Sequence, residues 1–223
     1  GLAPVTLELL DRETIRAVDD AFSLGLEREA EAMLLIESDL PGEAAADEIG
    51  RARAVCEGNG AGLVVAAQTA AEADLLRQGR RMAWHALERQ GSAKMEDVVV
   101  PRSQVAPLLR AIAEVAARIG VRCASFGHAG DGNIHPNLVF DRYDPTAQER
   151  TEAFQREVYR IAIELGGSIT GEHGIGVDKM KHMPKLFSEA DLDTMQLVRC
   201  AFDPHHLSNP GKVFPTPRLC GET

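Results

Sequence analysis

Residues 121–141, VRCASFGHAGDGNIHPNLVFD, constrain the fold more than any other stretch of the chain. Two β-type runs flank Asp131-Gly132, a dipeptide that favours the tight turn of a β-hairpin. Two strands that are joined by such a short turn must run antiparallel. The stretch therefore predicts an antiparallel hairpin and excludes a sheet that is parallel throughout.

A two-residue turn at Asp131 and Gly132 would also fix the positions of the histidines on either side of it. His128 would face His135 directly across the hairpin, with Cβ atoms about 4.5–5.5 Å apart. Asn137 would project from the same face, because side chains alternate along a strand. A wider loop would shift the pairing and separate the histidines, so the prediction depends on the turn type.

The rest of the chain alternates short apolar runs with helical patterns. We predict strands at residues 5–10, 32–38, 62–68 and 96–101, and helices from about residue 105 and over about 144–165. Such alternation usually indicates parallel βαβ units, but the hairpin makes the sheet at least partly antiparallel. We therefore predict an α+β fold with a mostly antiparallel sheet, helices packed mainly on one face, and a C-terminal helical tail.

Two units are predicted along the chain. Residues 1–200 would form one domain, and residues 201–223, which are rich in proline and poor in apolar positions, would form an arm that belongs to another structure. The first residue is Gly1, and no secretion signal follows it. We therefore expect a cut within a longer chain or a processed end.

Composition excludes several classes of protein. The formal charge is −10 without a basic run, which argues against a nucleic-acid surface. No apolar run is long enough to predict a transmembrane helix. The cysteines, Cys56, Cys123, Cys200 and Cys220, are scattered, which favours reduced thiols in a cytoplasmic protein, although the sequence does not determine their pairing. Attachment to the inner membrane through partner subunits is compatible with this expectation.

The segment SITGEHGIG, residues 168–176, offers a third polar group to the histidine pair. Its glycines permit a loop that lines a site, and Glu172 and His173 lie among them. Two imidazoles and a carboxylate are a common ligand set for a divalent metal. On an extended backbone Glu172 and His173 would point in opposite directions, so one would bind metal and the other would face a substrate. The residues alone leave a polar turn without metal equally open.

Three motifs together resemble the C-terminal part of FAD-linked 2-hydroxyacid oxidoreductases: GHAGDGNIHPN, GGSITGEHGIGVDK and FDPHHLSNPGKVFP. This family includes glycolate oxidase flavoprotein subunits, D-lactate dehydrogenases and D-2-hydroxyglutarate dehydrogenases. The resemblance covers most of the chain, since LLRQGRRMAWHA and EDVVVP also match. It implies a cap domain with ferredoxin-like elements over residues 1–200. Residues 201–223 would return to a flavin-binding domain that this chain lacks.

The resemblance also implies roles for individual residues. His128, His135 and Glu172 would bind a divalent ion, zinc or manganese. His173 would be the catalytic base that takes the substrate's hydroxyl proton, since imidazole exchanges protons near neutral pH. Asn137 would bind the substrate.

Arg80 would bind the substrate carboxylate through two hydrogen bonds, with a solvated arginine on a helix face as the alternative. Asn209 and Lys212 would contact FAD, or would form only a turn after the last helix. Met95 stands where members that act on longer diacids have a lysine, which favours glycolate or D-lactate. Three other histidines, His182, His205 and His206, are predicted to lie on the surface or in loops.

The resulting prediction is an FAD-dependent oxidation of a small 2-hydroxyacid to a keto acid, by hydride transfer to flavin. Electrons would pass on to a quinone, a cytochrome or an electron-transfer protein. FAD would be bound largely by the missing domain, so this chain alone would be incomplete and inactive. Two alternatives are a stand-alone metal- or ligand-binding module without redox chemistry, and a subunit that completes a flavin site in trans. Partner subunits or a homo-oligomer are compatible with each of them.

Overall fold

The architecture is an α+β fold built on a six-stranded sheet, which confirms the predicted class. The computed structural model describes residues 2–215 and residue 220. The strands are β1 (Thr6–Asp11), β2 (Ala32–Glu37), β3 (Ser92–Met95), β4 (Val98–Val99), β5 (Arg122–His128) and β6 (Asn133–Phe140). The α-helices are α1 (Arg12–Phe22), α2 (Glu43–Gly58), α3 (Ala70–Arg81), α4 (Ala83–Glu88), α5 (Val105–Ile119), α6 (Ala147–Glu164) and α7 (Glu189–Phe202). Short 3₁₀ segments cover Arg102–Gln104 and Met180–Lys185.

The sheet is antiparallel at every strand pair. Its order is β2-β1-β5-β6-β3, and β4 also pairs with β6. The predicted hairpin of β5 and β6 lies at its centre. The strand predicted at residues 62–68 is wrong: this run has no regular structure, and Leu63 and Val65 are exposed. Its apolar side chains therefore do not mark a buried strand.

Helices cover both faces of the sheet, so the prediction that they pack mainly on one face is wrong. Ile134 and Leu138 pack with α5 and α6 on one face, while Leu10 and Phe126 pack with α1 and α4 on the other. The reason is visible in β1, where the neighbours Leu9 and Leu10 are both buried. Since neighbouring side chains point to opposite faces, each face needs its own apolar cover.

The register of the central hairpin also differs from the prediction. The loop comprises the four residues 129–132, so His128 pairs with Asn133, and His135 pairs with Phe126. This is a shift of two positions, and an even shift keeps each side chain on its face. His128 and His135 are therefore diagonal neighbours, with ring centroids 5.6 Å apart.

Contacts from outside the hairpin explain the wider loop. The Gly130 amide donates a hydrogen bond to the Leu7 carbonyl on β1, at 3.0 Å. The Val100 amide donates to the Gly132 carbonyl, also at 3.0 Å. The loop therefore combines two turn bonds of its own, from the Asp131 amide to the His128 carbonyl and from the Gly132 amide to the Ala129 carbonyl, with bonds to two neighbouring segments.

The prediction of four reduced thiols is wrong for one pair. Cys200 and Cys220 form a disulfide, whereas Cys56 and Cys123 are free. The chain turns back on α7 after Phe202, and the Cys220 amide donates to Nε2 of His206 at 2.9 Å. This reversal brings together two cysteines that are 20 positions apart in the sequence.

His182 is buried, in contrast to the prediction that it lies on the surface. Its ring contacts that of Tyr159 edge to face, with centroids 4.9 Å apart. Burial, together with the charges of Lys185, Lys181 and Arg156, lowers the pKa of His182 to about 4. His182 is therefore a neutral core residue at neutral pH.

The tail after α7 lies against the glycine-rich loop. Residues 203–215 form turns without regular secondary structure, and the Val213 amide donates to the Gly176 carbonyl at 2.9 Å.

Within residues 2–215 and 220, no helix has the length and apolar character needed to cross a membrane.

The close packing of the hairpin loop predicts different costs for two glycine substitutions. Gly132 and Gly120 both have left-handed backbones, with φ of +77° and +75°. An added Cβ would lie 2.0 Å from the Val100 carbonyl oxygen at Gly132, but at Gly120 it would meet no atom within 4 Å. Gly120→Ala should lower the free energy of unfolding by about 1–2 kcal/mol. Gly132→Ala should cost about 1–3 kcal/mol more, because the chain must move to relieve the overlap. Urea unfolding measures both, and equal losses would contradict the described packing.

Candidate metal centre

Two imidazoles and one carboxylate converge beside the hairpin loop. Oε1 of Glu172 lies 3.1 Å from Nε2 of His135 and 3.6 Å from Nε2 of His128. All three donor atoms lie within 4.8 Å of one another. Ligand atoms around a tetrahedral metal with bonds of about 2.0–2.2 Å are about 3.3–3.6 Å apart. The spacing therefore suits a divalent ion, and the exposed Glu172 leaves one side open to solvent.

His135 has the electrostatic properties that a metal ligand needs. Its burial lowers the pKa of His135 and so favours the neutral imidazole, which is the form that binds metals. Its buried Nδ1 atom and Oδ1 of Asp97 have no hydrogen-bond partner among the described residues, and they lie 3.9 Å apart. A histidine that binds a metal through Nε2 typically donates from Nδ1 to a carboxylate. These two complementary atoms therefore fit a metal-binding histidine and its supporting acid.

Asp97 organises the loop that carries Glu172 and His173. Its Oδ2 atom accepts four hydrogen bonds, from the Thr170 hydroxyl and from the amides of Gly171, Glu172 and His173. Nζ of the buried Lys179 donates to the Asp97 carbonyl at 2.8 Å and lies 3.6 Å from Oδ2. Burial alone would raise the pKa of Asp97, but these hydrogen bonds and Lys179 outweigh it and lower the pKa to about 2. The loop is therefore folded around an ionised carboxylate.

His173 is adjacent to the cluster and open to solvent. Its ring stacks on that of His135, with centroids 4.9 Å apart and planes inclined by 11°. Its Nε2 atom lies 3.6 Å from Oε1 of Glu172. The loop backbone thus brings Glu172 and His173 to the same place, which the extended backbone assumed from the sequence would not allow. His173 is in a position to exchange a proton with a molecule bound at the cluster.

Arg80 reaches the same region from α3. Its Nε atom donates to Oε2 of Glu8 at 2.7 Å, and its guanidinium lies 4.6 Å from the ring centroid of Phe126. The other oxygen of Glu8 lies 2.6 Å from Nδ1 of His128. These contacts do not favour the alternative of a solvated arginine on a helix face.

Asn137 is fully buried, two positions beyond His135 on β6. Its Nδ2 atom donates to the carbonyls of Ala124 and His135, while its Oδ1 atom has no partner within the described residues. Met95 is its cross-strand neighbour on β3. Asn137 therefore has one buried acceptor without a partner, on the face that carries both histidines.

The predicted flavin contacts lie in the tail that follows α7. Asn209 and Lys212 are exposed in the tail, where their carbonyls accept hydrogen bonds from the Arg199 guanidinium, both at 3.2 Å. The structure describes a tail segment held by its backbone, with both side chains on its surface.

Sequence reasoning missed Glu8, Asp97 and Lys179. One signal was available for Glu8, which interrupts the apolar run VTLELL with a charge. In an otherwise buried strand such a charge usually has a partner. For Asp97, the segment EDVVVP indicated only a strand, because its partners lie more than 70 positions away.

The family model described as "FAD linked oxidases, C-terminal domain" matches residues 1–213. This chain therefore belongs to the FAD-linked oxidase family, as a member of its C-terminal domain. It is 40% identical over 214 residues to the glycolate oxidase subunit GlcD of Bacillus subtilis, covering 96% of this chain and 46% of that protein. It is 36% identical over 223 residues to GlcD of Escherichia coli K12, covering 100% and 45%. A D-lactate dehydrogenase of Archaeoglobus fulgidus is 31% identical over 214 residues, covering 95% and 46%. The chain spans about half the length of these relatives.

A solved structure of a distant protein has the same fold. The 4-ethylphenol oxidase from Gulosibacter chungangensis superposes with a TM-score of 0.64 at 12% identity, over 95% of this chain and 48% of that one. At this identity the likeness concerns the fold alone.

Removing the negative charge of Asp97 should destabilise the protein strongly. Asp97→Asn leaves loop donors and the buried Lys179 without full partners, so we expect a loss of about 3 kcal/mol or more in the free energy of unfolding. Asp191→Asn is the matched control, because Asp191 accepts from the amide of the N-cap residue Ser188 in the capping box at the exposed start of α7, and the change should cost about 1 kcal/mol or less. Urea unfolding of both variants tests this, and similar losses would show that Asp97 does not organise the loop.

Proposed function

We propose that this chain is the substrate- and metal-binding portion of an FAD-dependent 2-hydroxyacid oxidoreductase. The observation that carries the proposal is the joint position of two imidazoles, a carboxylate and the solvent-open His173, in a member of the FAD-linked oxidase family. The names of the similar proteins, glycolate oxidase subunit and D-lactate dehydrogenase, support a small hydroxyacid as substrate.

His128, His135 and Glu172 are the proposed ligands of one divalent ion. A set of two nitrogens and one oxygen suits zinc or manganese. When bound, the ion would supply Lewis-acid polarisation of the substrate oxygens, and FAD from a flavin-binding domain would supply the hydride acceptor. A second group of donors, Cys200, His206 and Cys220, is a weaker candidate, because its sulfur atoms are joined in a disulfide.

Three side chains would orient the substrate and move its proton. The Nε edge of Arg80 engages Glu8, so the terminal nitrogens would hold the substrate carboxylate. The buried, unpaired Oδ1 atom of Asn137 would receive a hydrogen bond from the substrate. His173 would take the hydroxyl proton while the α-hydrogen leaves as hydride, so that the C–O bond becomes a carbonyl.

The remaining assignments concern specificity and surroundings. Met95, beside Asn137, favours a small monoacid such as glycolate or D-lactate over a longer diacid. Residues 1–200 would be the cap domain, and residues 201–223, with Asn209 and Lys212, would return to the flavin domain. We propose a cytoplasmic protein that passes electrons to a quinone, a cytochrome or an electron-transfer protein. Attachment to the inner membrane through partner subunits is compatible with this proposal. A homo-oligomer is compatible with this arrangement.

Removing two ligands should abolish metal binding by the full-length protein. We expect about one zinc or manganese ion per chain in the wild type, and none in His128→Ala/His135→Ala, since a single carboxylate is a weak site. His85→Ala is the control, because His85 is exposed and pairs with Glu88, outside the proposed site. Elemental analysis after gel filtration measures the content. Unchanged metal in the double variant would contradict the assigned ligands, and colourless full-length protein without FAD would contradict the flavoenzyme itself.

His173→Ala should lower kcat by about 10²–10⁴-fold, because general base catalysis typically contributes that much. Its metal content should stay at the wild-type value, since His173 is not a proposed ligand. His205→Ala, in the exposed tail, provides the control for turnover. Steady-state oxidation of glycolate and D-lactate with an artificial electron acceptor measures the effect. Near-normal turnover of His173→Ala would rule out its role as the base.

A further inference from the structure

We infer that Glu8 is a positioning residue that couples the proposed metal ligand His128 to the proposed carboxylate-binding Arg80. The inference rests on the proposed function and extends it to a residue outside every motif of the sequence. One carboxylate contacts both groups, so a single side chain would set the relation between the metal and the substrate.

The geometry of Glu8 is fixed by the sheet. Glu8 on β1 pairs directly with His128 on β5, and its side chain is only 15% exposed. Its Oε1 atom lies 2.6 Å from Nδ1 of His128, and its Oε2 atom accepts from Nε of Arg80 at 2.7 Å. Each oxygen therefore serves a different partner, and neither partner can move without disturbing the carboxylate.

The contact with His128 determines which ring nitrogen can bind a metal. A carboxylate only accepts hydrogen bonds, so in its contact with Glu8 the Nδ1 atom of His128 would be the donor. The lone pair of Nε2 is then presented toward Glu172, 3.6 Å away. A carboxylate on the far side of the ring also makes the ligand more basic, and the loss of such a partner typically costs about 10–100-fold in metal affinity.

The contact with Arg80 determines the orientation of the guanidinium. The Nε bond to Glu8 holds one edge, and the ring of Phe126 lies against the planar group, with its centroid 4.6 Å from Cζ. A guanidinium that is fixed at one edge and one face presents its remaining nitrogens in one direction. This preorganisation is what two-point binding of a carboxylate needs.

A neighbouring ion pair provides a control that distinguishes the positioning of Arg80 from the simple attachment of α3 to the sheet. Arg77, one helical turn before Arg80, donates from Nε to Glu37 on β2 at 3.0 Å. This pair also ties α3 to the sheet, with both side chains 31% exposed, but it lies outside the histidine cluster. Glu37→Gln therefore removes the same kind of contact without touching His128 or Arg80.

The experiment compares Glu8→Gln with Glu37→Gln in the full-length FAD-containing protein. Metal is removed with a chelator and titrated back as Zn²⁺ or Mn²⁺, and KM for glycolate and D-lactate is measured on the reloaded protein. Glu8→Gln should weaken metal affinity about 10–100-fold and raise KM at least tenfold, whereas Glu37→Gln should change each less than twofold. Equal behaviour of the two variants would overturn the inference.

A double-mutant cycle tests the coupling to Arg80. Arg80→Gln should raise KM in the wild type, but should raise it little further in Glu8→Gln, because the arginine has already lost its orientation. If the effects of the two substitutions on KM multiply, this part of the inference is overturned.

Glu8→Asp keeps the negative charge and should recover part of the metal affinity that Glu8→Gln loses. A metal affinity of Glu8→Asp as low as that of Glu8→Gln would contradict the electrostatic role of Glu8. If the wild type takes up no metal at all, the proposed metal centre fails as well, and that outcome differs from a metal-binding wild type with unaffected Glu8→Gln.

Discussion

The Asp97 carboxylate holds in place the loop on which the site depends. The loop is rich in glycine, and Gly174 and Gly176 have left-handed backbones, with φ of +77° and +56°. Such a segment has little conformational preference of its own. Four hydrogen bonds to one oxygen atom offset the entropy of ordering it, and Lys179 compensates the buried charge. The same residue directs its second oxygen toward His135, so loop folding and ligand support depend on one side chain.

A second acid supports the other histidine from the opposite direction. Glu8 approaches His128 from β1, while Asp97 approaches His135 from the segment between β3 and β4. Each proposed nitrogen ligand thus has a carboxylate behind it. Such outer carboxylates fix the tautomer and raise the basicity of the ring that they contact. The sheet therefore supplies both the ligands and the groups that tune them.

Sequence reasoning could predict the class of fold, because Asp131-Gly132 between two β-type runs requires an antiparallel hairpin. It could not predict the register, since the loop is widened by bonds to Leu7 and Val100, which are distant in the sequence. The two histidines remained on one face only because the register moved by two positions rather than one. The sequence also did not predict helices on both faces of the sheet, because the burial of both Leu9 and Leu10 is a property of the packed sheet.

The sequence predicts the site residues that are close together along the chain, but not those that only the fold brings together. Glu172 and His173 were visible in GEHG, and the resemblance of three motifs to the FAD-linked oxidases supplied their roles. Glu8 lies 120 positions from His128, and only the pairing of β1 with β5 brings them together. The disulfide was missed for the same reason, because it depends on the turn after α7.

The central claim is that one divalent ion is bound by two imidazole nitrogens and one carboxylate oxygen. X-ray absorption spectroscopy of the metal-loaded, full-length protein tests this ligand set directly. We expect a shell of nitrogen and oxygen at about 2.0–2.2 Å, with the multiple-scattering signature of two imidazoles. A sulfur shell at about 2.3 Å would place the ion on cysteine thiolates instead, and would contradict the assignment of His128, His135 and Glu172.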